Sequence, residues 1–422
     1  MPADTHRTIN AIWRIESAKL IAGLARLVRD VGVAEELAQD AFVAALEQWP
    51  EAGVPQNPGA WLMTTAKHRA IDRVRREKRF DRKQEEIAHV FESDRASSHA
   101  DELDAKLDDP VGDDLLRLVF VACHPVLSTE ARVALALKLL GGLTTDEIAR
   151  AFLVPEPTIA QRIVRAKRTL ADKQVPFEVP RGPELAARVA SVLEVIYLIF
   201  NEGYTATAGD DWLRPALCDE ALRLGRILAG LMPNEPEVHG LAALMEIQAS
   251  RTKTRVSSTG EPVLLLDQDR AKWDQLLIGR GLAALSRAEQ LSAARGPYTL
   301  QAAIAACHAR ARVAPDTDWR RIALLYTELA QVAPSPVVEL NRAVAISMAF
   351  GPQAGLAIVD SLVTEPSLKG YHLLPSVRGD LLSKLGRWDE ARTEFERAAT
   401  LTRNAREQRL LLERAEECGN HV

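Results

Sequence analysis

The chain reads as an all-α protein. Apolar residues return every three or four positions along nearly its whole length, and strand-like alternation is almost absent. The one exception lies near Val256 to Leu266, where a small hairpin is expected with Ser258 to Glu261 as its turn. At 422 residues, 47% apolar and 26% charged, the chain is long enough for two or three domains with sizeable cores.

No run of about 18 apolar residues occurs, and the start "MPADTHRTINAIWRIESAKL" has neither a basic n-region nor an apolar h-region. A cytoplasmic protein without membrane span or signal peptide is therefore expected. Cys123, Cys218, Cys307 and Cys418 stand far apart with no C-x-x-C pair, against a disulfide frame or a local zinc ribbon. The dipeptides Cys123-His124 and Cys307-His308 invite a shared metal, but adjacent side chains rarely both ligate, and no metal or cofactor is expected.

The first legible helix is "AEELAQDAFVAALEQW", Ala34 to Trp49, with Leu37, Ala41, Ala45 and Trp49 inward and Glu36, Gln39 and Asp40 exposed. After the loop "PEAGVPQNPG", the segment "AWLMTTAKHRAIDRVRREKR" begins apolar and aromatic. It ends with seven basic against two acidic residues from Lys67 to Arg79. Trp61 followed by a Lys/Arg ladder suits a surface that stacks unpaired bases and tracks a phosphate backbone, although a solvated helix end with a core Trp has the same look.

Asp81 to Asp114 holds 4 basic against 12 acidic residues and little apolar pattern, which reads as a linker of net charge near −8. Its flanks are mildly basic: residues 1–80 hold 12 Lys/Arg against 10 Asp/Glu, and residues 115–180 hold 9 against 6. The formal net charge of −5 therefore hides two basic modules joined by an acidic tether.

In "TTDEIARAFLVPEPTIAQRIVRAKRTL", Thr144-x-x-Glu147 is a capping box that starts a short helix with Ile148, Ala149 and Phe152 inward. Pro155 and Pro157 break it. A second helix from Thr158 places Ile159, Ile163, Ala166 and Leu170 in one stripe at 100° per residue, with Thr158, Gln161, Arg165 and Arg168 opposite and Arg162 and Lys167 flanking. This is a helix-turn-helix pattern whose second helix offers Gln and Arg, side chains able to read base edges bidentately. A surface helix with a solvated basic face is the plainer reading, and the capped partner helix in front weighs against it.

The order of these parts resembles the extracytoplasmic-function group of the bacterial sigma-70 family over roughly residues 10–172. An acidic-x-x-Gln-acidic pattern falls on Glu36, Gln39 and Asp40, which the resemblance assigns to docking on the clamp helices of core RNA polymerase. The next helix follows the family's "WL…A.N…D..R" at Trp61, Leu62, Ala66, Asp72 and Arg75, with His68 where the family has Asn. The resemblance implies that Asn57, Trp61, Lys67, His68, Arg69, Arg73, Arg75 and Arg76 face the −10 promoter element. Leu127, Arg132, Leu137, Gly142, Glu147 to Ala149, Val154, Ile159, Arg162, Arg165 to Lys167 and Leu170 match region 4. That match implies that Thr158, Gln161, Arg162, Arg165 and Arg168 read the −35 element. Family members thread the segment between these modules through the polymerase toward the RNA path, where an acidic chain can mimic nucleic acid.

"VPFEVPRGPEL" marks the end of these modules. From Leu185 to Ile247 the pattern is helical, broken by "NEGYTATAGDDWLRP" and "MPNEPEV". Asn201, Glu202, Tyr204, Asp210, Asp211 and Trp212 tempt an active-site reading, yet caps, turns and a docked aromatic explain them more economically. In "DQDRAKWD", Asp267, Asp269, Arg270, Lys272, Trp273 and Asp274 read as a knot of ion pairs and an aromatic. Of these, Asp267, Asp269, Arg270, Trp273 and Asp274 are expected to make an inter-domain regulatory contact. "NRAVAISMAFGPQAGLAIVDSL" and "VRGDLLSKLGRWDEARTEFERA" align at about 35 residues, Gly351 with Gly386, near the tetratricopeptide period, with Ala391, Phe395 and Ala398 at packing positions. Such helix pairs stack into a solenoid with a concave binding face. The arrangement resembles a sigma-factor subgroup with a tetratricopeptide-like extension, in which "FLVPE", "FNEGY" and a "DQDRS.W"-type segment recur, with Ala271 here in place of Ser. The resemblance implies that the extension regulates the sigma modules.

The expected organisation is thus residues 1–80 for polymerase and the −10 element, 81–114 as linker, 115–178 for the −35 element, 179–300 as a helical extension and 301–422 as tetratricopeptide-like repeats. The expected function is a sigma factor that binds core polymerase and directs promoter-specific initiation. A regulatory protein or an intramolecular contact would act through the extension. A one-component helix-turn-helix regulator with a solenoid sensor is the alternative, and residues 34–79 argue against it. No phosphate loop, nucleophile elbow or HExxH motif appears, so no enzyme is expected.

Overall fold

The computed structural model describes residues 2–71, 111–152, 154–205, 213–257 and 261–421. Among them the regular structure is helical throughout. The expected hairpin is reduced to one antiparallel bridge between Val256 and Pro262, flanked by bonds from Ser257 N to Glu261 O and from Val263 N to Arg255 O, each 2.8 Å. Ser258 to Gly260 of its turn lie outside the described residues, as do residues 81–110 of the linker expected over 81–114, whose last four residues, Val111 to Asp114, instead begin a helix.

Two units divide at Val195/Ile196. The first begins with α1 (Pro2–Val28) and α2 (Val31–Ala52). Arg29, with φ 54, ends α1, and the Asp30 carboxylate accepts from Val33 N at 2.9 Å to start α2. Leu37, Ala41, Ala45 and Trp49 are buried as their spacing demands, and Trp13 packs on Phe42 with ring centroids 4.6 Å apart. Asn57 then caps a helix over residues 58–71, α3, by accepting from Ala60 N. Trp61 on α3 meets buried Trp49 edge-on at 5.2 Å.

After the linker come α4 (Val111–Ala122), α5 (Thr129–Leu139), α6 (Thr145–Phe152) and α7 (Glu156–Asp172). Ser128 caps α5, and the α6 capping box closes as its sequence requires. Glu147 N donates to Thr144 Oγ1 at 3.1 Å, and Thr144 N donates to Glu147 Oε2 at 2.8 Å. Helix α7 begins at Glu156, earlier than the expected Thr158. A proline ring in the first turn removes only an amide that would have no intrahelical partner, so Pro157 is accepted there. Helix α8 (Pro183–Tyr204) follows, and the first unit ends within it.

The second unit continues with α9 (Pro215–Leu231), α10 (Pro236–Ala249), α11 (Gln275–Leu291), α12 (Pro297–Arg310), α13 (Trp319–Val332) and α14 (Pro336–Phe350). It closes with α15 (Pro352–Leu362), α16 (Leu373–Lys384), α17 (Trp388–Leu401) and α18 (Ala405–Gly419). Helix α10 packs on both α11 and α12, and its apolar residues are accordingly buried nearly all round. Gly351 (φ 101) joins α14 to α15 and Gly386 (φ 74) lies between α16 and α17, both in the left-handed region that glycine adopts most cheaply. Ala391, Phe395 and Ala398 are buried in one core with Leu340, Leu356 and Leu382.

The "DQDRAKWD" stretch is a knot, but of a different wiring from the expected alternation of ion pairs. Asp269 and Asp274 serve as helix caps, accepting from Ala271 N and from Leu276 N and Leu277 N. Arg270 is buried, and its Nη1 donates to the carbonyls of His308 and Ala311 while Nη2 donates to Thr317 Oγ1. Trp273, 3% exposed, lies under the guanidinium groups of Arg270 and Arg251. Asp267 and Asp269 are exposed, and only Lys272 and Asp269 form an ion pair within the stretch. Glu202 pairs with Arg214, and Tyr204 is engaged by Arg251 and Arg255, so these residues serve the packing of the second unit. Asp210, Asp211 and Trp212 lie outside the described residues.

Candidate nucleic-acid interface

Helix α7 has two chemically opposed faces. Ile159, Ile163, Ala166 and Leu170 are buried, while Gln161, Arg165 and Arg168 are exposed and Thr158 and Arg162 are half-buried beside them. Val164, 64% exposed, separates the polar positions and offers an apolar contact. Arg168 leans on Asp172 at 3.5 Å, an exposed i,i+4 pair that a phosphate could outcompete. The helix is therefore anchored by four aliphatic side chains and presents Gln and Arg outward, the geometry of groove recognition.

Glu147 anchors the partner helix. Burial pushes its carboxyl up, but the Thr144 amide, Arg14 and the Thr144 hydroxyl outweigh that and hold it below the ordinary carboxylate value. Its Arg14 partner lies on α1, so the helix-turn-helix is tied to the N-terminal module. The turn before α6 also requires Gly142, whose φ is +64 and whose added Cβ would lie 2.9 Å from Ser17 Oγ on α1.

On the N-terminal module, Glu36, Gln39 and Asp40 occupy one exposed stretch of α2. Asp40 lies 3.8 Å from Arg69 of α3, and Gln39 Nε2 donates to Glu35 at 2.7 Å. Asn57, which caps α3, and His68 on it are exposed, while Trp61, Lys67 and Arg69 are half-buried. The structure thus brings Asp40 and Arg69 together and leaves part of Trp61 accessible. Arg73, Arg75 and Arg76, with Asp72, lie outside the described residues.

Several contacts with no place in the sequence reading are prominent here. Glu35 is 3% exposed and pairs with Lys138 of α5 and Lys167 of α7. Its position just past the apolar arc of α2, at 100° per residue, was the faint signal available. Arg26 pairs with buried Asp114 at 3.2 Å. Within the helix-turn-helix module, Arg132 Nη1 donates to Ser191 Oγ at 2.6 Å and to Glu194 Oε2 at 3.0 Å, and Arg188 donates to the Phe120 carbonyl. Ser191 in turn donates to the Cys123 carbonyl at 2.6 Å. Helix α8 is thereby clasped to α4 and α5.

Among the described residues, no group of three or more His, Cys, Asp or Glu is placed to hold a metal ion. Burial pushes the Cys123 and Cys218 thiols up to about 12, which keeps them protonated. No described helix is long and apolar enough to cross a membrane.

Comparison with known proteins agrees with this geometry. Residues 15–80 match Sigma-70 region 2, residues 117–170 match Sigma-70 region 4, and residues 188–289 match a family of unknown function, DUF6596. An uncharacterized protein of Rhizobium meliloti (strain 1021) is 46% identical over 92% of this chain and 90% of its own length. The ECF RNA polymerase sigma factor SigK of Mycobacterium ulcerans is 32% identical over 35% of this chain and 75% of its own length. The probable ECF RNA polymerase sigma factor SigI of Mycobacterium tuberculosis is 28% identical over 40% of this chain and 57% of its own. No solved structure matches. With both sigma-70 regions present in order and their helices arranged as above, the chain belongs to the extracytoplasmic-function RNA polymerase sigma factors, and carries in addition a long helical C-terminal domain.

Proposed function

We propose that this sigma factor divides its work between the two faces described above. Glu36, Gln39 and Asp40 dock on the clamp helices of core RNA polymerase. Asn57, Trp61, Lys67, His68 and Arg69, with Arg73, Arg75 and Arg76 beyond the described residues, meet the −10 element. Thr158, Gln161, Arg162, Arg165 and Arg168 read the −35 element. The observation that carries this reading is the polarity of α7, four aliphatic residues buried against an outer face of Gln161, Arg165 and Arg168. The protein works by binding in the cytoplasm and performs no covalent chemistry.

The extension regulates these modules, with residues 301–422 stacking as a tetratricopeptide-like solenoid. The clasp of Arg188, Ser191 and Glu194 on Phe120, Cys123 and Arg132 supports this, since it ties the first helix of the extension to the helix-turn-helix module. Asp267 and Asp269, exposed beside Leu264 and Leu266, are the part of "DQDRAKWD" open to a partner, while Arg270, Trp273 and Asp274 hold its shape.

Run-off transcription with purified core polymerase, on promoter fragments chosen by enrichment, tests the reading. A promoter-dependent transcript is expected, lost on Gln161→Ala with Arg165→Ala. Tight DNA binding by the chain alone with no transcript would overturn it. Truncation near residue 180 should alter polymerase binding or transcript yield, and identical behaviour would reject a regulatory extension.

A further inference from the structure

Arg310, Arg312 and Arg321 line one cavity of about 420 Å³ where α12 ends and α13 begins. All three are exposed, and among the described residues none of their guanidiniums is ion-paired or hydrogen-bonded. Asp316 and Asp318 line the same cavity, so the arginine forks are not left open for want of a nearby carboxylate. Asp318 is committed to capping α13, its Oδ1 accepting from Arg321 N at 2.9 Å. Cys307 belongs to the same wall. Burial first, then Asp318, push its thiol up, so it stays protonated and adds no negative charge. The cavity therefore carries three positive charges against two negative ones.

The segment between the two helices is held in shape by a group from elsewhere in the second unit. Arg270 is 7% exposed, and its Nη1 donates to the carbonyls of His308 at 3.0 Å and Ala311 at 3.2 Å. Its Nη2 donates to Thr317 Oγ1 at 3.0 Å, so one guanidinium pins both ends of the segment. Thr317 N donates to the Ala314 carbonyl at 3.2 Å, which tightens the turn between them. A cavity fixed in this way loses little freedom when a ligand enters. Arg270 has no carboxylate partner among the described residues, and the field of Asp316, which lines the cavity, reaches it. Arg270 therefore favours negative charge in the cavity as well.

Three open guanidiniums around one cavity suit a group with several acceptor oxygens and a double negative charge. A phosphate monoester has three such oxygens and a charge of about −1.5 to −2. A carboxylate has two oxygens and a single charge, which Asp316 and Asp318 already offer without closing the forks. We propose that this cavity is a binding site for a phosphate monoester, gripped by Arg310, Arg312 and Arg321. The site belongs wholly to the second unit and does not depend on how the extension acts on the sigma modules.

Calorimetric titration of the full chain with ribose 5-phosphate and with a short phosphoserine peptide, each beside its unphosphorylated parent, tests the site. Saturable binding of at least one phosphorylated compound is expected, with none of either parent. The tighter of the two tells a free sugar phosphate from a modified side chain. Arg310→Gln with Arg321→Gln should weaken binding at least about tenfold. Arg320→Gln removes an exposed charge of α13 that does not line the cavity, and should leave the affinity within about twofold. No saturable binding of either phosphorylated compound, equal binding of a parent, or binding that survives the double variant would overturn the site. A loss in Arg320→Gln as large as in the double variant would overturn it too, since general surface charge would then account for the binding.

Discussion

Arg132 on α5 and Glu194 on α8 form an ion pair at 3.0 Å, and the same guanidinium donates to Ser191 and Thr129. Arg132 retains 10% of its side-chain exposure and Glu194 retains 49%, so the two partners do not matter equally. Arg132→Ala strips a nearly buried cluster of its charge and should cost about 1.5–3 kcal/mol in chemical denaturation of the first unit. Glu194→Gln leaves the Ser191 and Thr129 bonds in place and should cost under about 1 kcal/mol.

Arg165 is exposed on α7, with Gln161 four residues before it on the same face. Arg165→Ala in the polymerase-bound chain should lose roughly 1–3 kcal/mol of discrimination at one base position of the −35 element. Anisotropy titrations against single-base variants of the fragment measure it, and equal losses on all variants would make Arg165 a phosphate contact instead.

Thr144 and Glu147 cap α6 reciprocally, so Thr144→Ala should destabilise the first unit by about 1 kcal/mol. The same site gives an acid signature. Glu147 is held below the ordinary value of 4.5, so its contribution is complete above that pH and is lost as pH falls through the lower folded value. Glu147→Gln should flatten the acid limb of the unfolding curve in that window.

His308 behaves with the opposite charge logic. Burial, then Arg251 and Arg270, press its pKa from 6.5 down to about 3, so it is neutral in the folded chain. The unfolded chain takes up a proton below 6.5 that the folded one refuses. Stability of the second unit should therefore fall between pH 6.5 and about 3, by up to about 1.4 kcal/mol per pH unit from this group. Unfolding of His308→Gln followed over that range should show a shallower slope.

Gly142→Ala places a side chain at φ +64 and 2.9 Å from Ser17 Oγ. A loss above about 1 kcal/mol is expected, and Ser17→Ala should recover only the steric part, since the backbone strain remains. Thermal melts of the two single variants and the double variant separate the two contributions.

Much of the candidate site was legible in the sequence. The stripe Ile159, Ile163, Ala166 and Leu170 determined which side of α7 faces out, because at 100° per residue burial of one face exposes the other. Thr144 and Glu147 announced a helix start because capping is a contact between residues three apart. "DQDRAKWD" was legible only as dense. That Arg270 would bond to the carbonyls of His308 and Ala311, and not to Asp267 or Asp269, depends on the end of α12 some forty residues away.

What the sequence determined by itself was local: helices, caps, the tether's charge, and the outward chemistry of α2 and α7. Those follow from periodicity and from contacts a few residues long, which a linear pattern records in full. Tertiary structure alone decided that Glu35 meets Lys138 and Lys167, that Arg14 meets Glu147, and that α8 closes on Arg132. A buried charge carries no mark of its partner in the sequence, since pairing is set by which helix faces dock and how closely. Charges that look solvated along the chain become, once those faces meet, the contacts that hold the two modules together.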